Sequence, residues 1–281
     1  MSSSMPPVLA SYVQQCIDDR SLTTLTSVLD TPTNWLLIRF LVSALQKSNH
    51  GNSAAAAQSR GAPANNYKVI FVSVFRSFDT WSELARKCGV NLQDAVASSK
   101  LCYIDGLAVG GNSPIGAMPL ENLTLRDLNL CLISAIKVLS AEDPSSKILV
   151  IIDGIDFLLA CQPKTSSNDI QQVLLELQSL VHGVVTTCAA DSALLHSTDA
   201  SATPLELEHT TLARGLAHQA RWLFQLRPLE TGQSKEVSGS IRISRGGAWE
   251  SNEGARDLVE GEWLFHFRND EGVKVWGRGE A

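Results

Sequence analysis

Apolar residues along this chain follow two rhythms. Short unbroken runs, each about one strand long, appear in "YKVIFVSVF" (67–75), "KLCYIDGL" (100–107), "KILVIID" (147–153) and "VVTTCAA" (184–190). Runs of this kind read as parallel strands buried on both faces. Between them the apolar positions recur every three or four residues, the spacing of an amphipathic helix. Helices are expected over Trp35–Gln46, from Thr80 to Gly89 and over Leu125–Leu139. A further helix is expected in "NDIQQVLLELQSLVHG", where Ile170, Val173, Leu174, Leu177 and Val181 share a face and Gly183 is the stop. Thr80 and Glu83 have the spacing of a capping box at the head of the second of these helices.

The first strand is expected in "SLTTLTSVLD" (21–30), with a turn through Thr31–Asn34 before the Trp35 helix. Residues 1–20 read as a lead-in holding a loosely attached helix over Val8–Cys16, and the small, polar stretch 48–66 as a flexible surface insertion. Past residue 200 the rhythm changes. A helix or broken helix over 203–220 is followed by three strand-like segments, at 221–229, 236–247 and 262–279, with no helix between them. Trp263, Phe265 and Phe267 alternate with polar or half-buried neighbours, and Asn269–Gly272 supplies a turn. The expected architecture is one α/β domain over 21–281: a mostly parallel sheet, helices on both faces, and antiparallel strands at the C-terminal edge.

Composition narrows the function classes. The chain has 281 residues, 44% hydrophobic and 19% charged, as ordinary globular proteins do. A formal net charge of −6 argues against a protein that coats nucleic acid by itself, although a local cluster such as Arg242, Arg245 and Arg256 could act when neighbours complete a groove. No apolar run reaches the length of a membrane span, and the N-terminal residues lack the pattern of a secretory signal, so a cytoplasmic or nuclear location is expected. The six cysteines form no C-x-x-C pair and sit in or beside apolar stretches, which reads as buried, reduced thiols. The six histidines have no zinc-protease spacing, and no metal or cofactor is expected.

One residue suggests chemistry. Asp153 ends the strand 147–153, the place where an acid would hold Mg²⁺ on nucleotide phosphates. Such a site also needs a G-x-x-x-x-G-K-[ST] loop after the first strand. The chain offers "DTPTNWLL" (30–37) there, with no glycine and no lysine. A pair of glycines at this spacing elsewhere, Gly111 and Gly116, is followed by Ala117 and Met118. Asp153 is therefore expected to end a core strand and hydrogen-bond to local backbone, a degenerate relic of a Mg²⁺ site. The rival expectation is an ATPase with an unorthodox phosphate loop, using Asp153 and an arginine such as Arg76 supplied to a neighbour.

Several blocks together resemble the family of the sixth Elongator subunit: "VIFVSVFRSFDTWSELARKCGVNL" (69–92), "YIDGL" (103–107), "ILVIIDGIDFLLA" (148–160) and "GLAHQARWLFQLRPLETGQSKEVSGSIRISR" (215–245). The similarity runs from about Leu22 to Ser244 and leaves out the 48–66 insertion and the tail beyond Gly246. It implies a RecA-like fold with a degenerate phosphate loop and no catalytic residue. It further implies a hetero-hexameric ring of two copies each of the fourth, fifth and sixth subunits. That ring would dock on the larger catalytic subunits and contact tRNA during wobble-uridine modification, while the radical and acetyl-transfer chemistry belongs to another subunit. Within such a ring Trp222, Trp249, Trp263 and Trp276 are candidates for core packing or for interface anchors, and Trp222 joins the three arginines as a candidate partner or RNA contact.

Overall fold

The computed structural model describes residues 5–50, 66–107, 117–195, 202–229, 236–250, 258–268 and 272–278. Most of the 48–66 segment, the Gly111–Gly116 stretch, Arg256 and most of the Asn269–Gly272 turn lie outside the described residues. Ten strands form one sheet: β1 (Leu22–Ser27), β2 (Tyr67–Ser73), β3 (Leu101–Asp105), β4 (Ala117–Pro119), β5 (Lys147–Asp153), β6 (Gly183–Ala189), β7 (Trp222–Arg227), β8 (Gly239–Arg245), β9 (Gly261–Arg268) and β10 (Gly272–Gly277). Their order is β10-β9-β8-β7-β1-β6-β5-β2-β3-β4. Every pair from β7 to β4 is parallel, and β8, β9 and β10 are antiparallel to their neighbours. This is a RecA-like α/β architecture.

The period of two within each strand sends alternate side chains to two separate cores. Leu25, Val69, Phe71, Leu149, Ile151 and Val185 face one core, with helices α1 (Pro7–Asp18), α2 (Asn34–His50), α3 (Phe78–Lys87) and α4 (Leu92–Ala97). Leu22, Ile70, Val72, Val150, Ile152 and Val184 face the other, under α5 (Leu125–Glu142), α6 (Phe157–Cys161), α7 (Ser167–Leu180) and α8 (Pro204–Gln219). β2 and β5 are buried almost throughout, as continuous apolar runs require.

Several elements differ from the expectation. α1 is firmly packed, because Leu9, Val13 and Ile17 at helical spacing are fully buried and Tyr12 meets Trp222 and Trp263 edge-on at 6.0 and 5.3 Å. α2 continues to His50, into the segment read as insertion. The cap of α3 is Ser77, whose hydroxyl accepts from the Thr80 amide, so Thr80 lies inside the helix. β7 pairs parallel with β1, since α8 supplies the crossover that a parallel neighbour needs. β4 forms where only loop was expected. Cysteine burial is uneven: Cys16, Cys88 and Cys188 are buried, Cys102 and Cys131 half-buried, and Cys161 exposed, all six as free thiols.

Candidate functional site

In an open parallel sheet, ligands sit where the strands end. Here β1, β2, β5 and β6 end around a cavity of about 250 Å³, lined among others by Leu29, Thr33, Arg76, Asp153, Asp156, Thr187 and Asp191. Asp153 stands opposite Ser73 of β2 in the register, which brings the two side chains together. The carboxylate accepts hydrogen bonds from Ser73 Oγ at 3.3 Å, Arg76 Nη1 at 3.2 Å and Thr187 Oγ1 at 3.2 Å. The expectation that it bonds local backbone is corrected: its partners are side chains that follow from two flanking strands. The Thr187 hydroxyl accepts in turn from the Gly154 amide at 2.7 Å, and Ser73 Oγ from the Trp81 indole at 3.0 Å. Gly154 has φ +86°, and a Cβ there would lie 2.1 Å from the Phe75 ring, so the residue after Asp153 has to be glycine.

The side chain of Asp153 is 2% exposed and that of Arg76 28%. Burial pushes the Asp153 carboxyl up from its ordinary value, while the Arg76 charge and the hydroxyl donors oppose that rise. The guanidinium is thus bound to its own chain. A nucleotide enzyme that lends Arg76 to a neighbour would first have to break this pair.

The turn that stands where a phosphate loop would be is closed by its own bonds. Thr31 Oγ1 donates to the carbonyls of Val28 and Leu226, and the Leu29 amide donates to Asp191 Oδ1 at 2.9 Å. Trp35 is buried at the head of α2, 5.3 Å from the Phe265 ring and 6.3 Å from Phe267. Two apolar side chains of the cavity lining, Leu29 and Phe75, are 88 and 47% exposed, and Leu107, past the end of β3, is 52% exposed. Three aspartates line the cavity, and Arg76, the one cation among its described lining residues, is paired with Asp153.

A family model described as Elongation complex protein 6 matches residues 64–268 of this chain. The chain belongs to that family. It is 27% identical to Elongator complex protein 6 of Xenopus laevis over 225 residues, 75% of this chain and 80% of the relative. The corresponding protein of Xenopus tropicalis is likewise 27% identical over 224 residues, with the same coverage.

Among the described residues, the contact candidates expected in this chain do not form one exposed patch. Arg242 and Arg245 lie three residues apart on the regular strand β8, so they point to opposite faces of the sheet. Arg242 is exposed, whereas Arg245 is half-buried with its guanidinium 3.7 Å from the Trp249 ring. Arg256 is outside the described residues. Trp222 is 1% exposed, so the expectation of an RNA or partner contact there is corrected: its ring is core, wedged against Tyr12. Trp249, Trp263 and Trp276 are all half-buried. Sequence reasoning missed Ser73, Thr187, Asp156 and Asp191 as parts of the site. The signal available for the first two was their position at the ends of strands flanking Asp153.

Proposed function

We propose that this chain is a non-catalytic subunit of an Elongator complex, seated in a hetero-hexameric ring with the fourth and fifth subunits. The ring would handle tRNA while the larger subunits modify its wobble uridine, in the cytoplasm or nucleus. Family membership supports a place in the complex. The observation that carries the non-catalytic reading is the Asp153–Arg76 pair: the acid positioned for Mg²⁺ is already engaged by an arginine of the same chain. A phosphate loop without glycine or lysine, which we read as degenerate, points the same way. The exposed Leu29, Phe75 and Leu107 suit a face that meets a neighbouring subunit rather than phosphate.

Co-expression with the fourth and fifth subunits, followed by native mass measurement, tests the ring: a species with two copies of each is expected, and failure to co-purify overturns it. Calorimetry with Mg-ATP on the isolated chain tests the missing chemistry. No heat of binding is expected, whereas a saturating isotherm that Asp153→Asn abolishes would establish a working nucleotide site.

A further inference from the structure

Beside the Asp153 network lies a second group of side chains that plays no part in it. Asp156 sits at the head of α6, Cys188 near the end of β6 and His209 in α8. A carboxylate oxygen of Asp156, Cys188 Sγ and a ring nitrogen of His209 all lie within 4.8 Å of one another. Cys188 and His209 are 1 and 3% exposed, and Asp156 and Cys188 reach the wall of the 250 Å³ cavity.

We propose that Asp156, Cys188 and His209 bind a single divalent cation of the zinc type, with the cavity supplying the fourth position. Carboxylate, thiolate and imidazole are the donor types zinc takes, and three protein ligands with one open position is the arrangement of an accessible site. Bond lengths of about 2.0–2.3 Å in a tetrahedron would bring the donors to about 3.5 Å from one another, inside the 4.8 Å within which they already lie. His209 Nε2 lies 2.9 Å from the Ala189 carbonyl, which can only accept, so Nε2 carries a proton and a metal would take Nδ1 while that bond is kept. The Ala189 amide donates to Asp156 Oδ2 at 3.2 Å, so one residue of β6 braces two of the three donors. In the metal-free protein Cys188 is a thiol that donates toward the same carbonyl at 3.4 Å. A thiolate is the zinc ligand, so metal binding must release that proton to solvent. The backbone at residues 188 and 189 thus gains a tie to α6 and α8 that does not depend on hydrogen bonds alone.

This site is independent of whether the chain joins a ring, and its test uses the full chain by itself. Cobalt(II) added to the reduced protein should give tetrahedral visible bands and a near-ultraviolet thiolate-to-metal band that saturate at one equivalent and vanish when zinc is added. Cys188→Ser should remove the near-ultraviolet band. His209→Gln should weaken binding by more than about tenfold, since loss of even a supporting residue costs that much. Cys161→Ser, which alters an exposed thiol outside the site, should leave spectrum and stoichiometry unchanged. Circular dichroism of each variant reports its fold. Wild-type protein that gives no one-equivalent band overturns the proposal, and so does a band that survives in Cys188→Ser or disappears in Cys161→Ser.

Discussion

Arg76 has a quantitative role that its pairing with Asp153 makes testable. Without its guanidinium, the Asp153 carboxylate stays buried with only two hydroxyl donors. Arg76→Ala is expected to cost about 3 kcal/mol at neutral pH, the penalty of stranding a buried charge. The sign with pH follows from the direction of the shift. The folded-state pKa of Asp153 already lies above the unfolded value of about 3.9, so folding favours the protonated acid and stability falls as pH rises through that interval. Removing Arg76 raises the folded value further and widens the interval. The gap in unfolding free energy between wild type and Arg76→Ala, followed by urea melts from pH 7 down to pH 4, should therefore shrink with acid. A gap that stays constant would mean the pair contributes nothing electrostatic. Trp222 and Arg242 separate core from surface in the same way. Trp222→Ala should lose about 3–5 kcal/mol in those melts, and Arg242→Ala should stay within about 0.5 kcal/mol of wild type.

Helix ends were the most readable elements and also the ones most often overlooked. Thr203 accepts from the Glu206 amide while the Glu206 carboxylate accepts from the Thr203 amide, and Pro204 stands in the first turn. Thr203→Ala is expected to lower stability by about 1 kcal/mol, read as a lower melting temperature with unchanged helix content. Ser166 and Asp169 form the same reciprocal box at α7. Both boxes are written in the chain as a hydroxyl and an acid three residues apart, and they place the starts of two helices that apolar spacing left blurred. Ser77 shows the opposite case: Thr80 and Glu83 carried the more familiar spacing, but the hydroxyl that reached a free amide was Ser77. The central strands were plain because each is a continuous apolar run. α4 and α6, six and five residues long, escaped notice because so short a helix shows less than two turns of periodicity. The direction of β7 was hidden for a different reason, as its sequence is the same whether it pairs parallel or antiparallel, and only the preceding α8 decides.

At the scale of the molecule, the cavity rim and the loop beneath it carry the assembly reading. Leu29→Glu and Leu107→Glu alter exposed side chains, so they should leave the melting curve nearly unchanged while weakening association with partner subunits, measured by co-purification and native mass. Rebuilding residues 30–37 as a glycine-lysine-threonine loop should yield no phosphate release and poorer assembly, because Trp35 is lost from its contact with Phe265 and truncating a buried aromatic costs about 3–5 kcal/mol. Asp153 as a strand-end carboxylate was legible from one segment alone. Its partners were not, since Ser73 and Thr187 become neighbours only once three strands are set in order, and strand order leaves no local mark on a sequence. That order also governs time. β1 lies between β6 and β7, yet it is made first, and roughly 200 residues separate its end from the end of β7. At about 5–20 residues per second the ribosome needs about 10–40 s to cover that distance. The edge of the threonine-rich β1 that faces β7 stays open for that whole interval, while its other edge is open until β6 is made at residue 189. During synthesis, therefore, the middle of the finished sheet closes well after its neighbouring strands are made, and a chain halted before residue 222 presents one open edge of β1 to whatever protein is near.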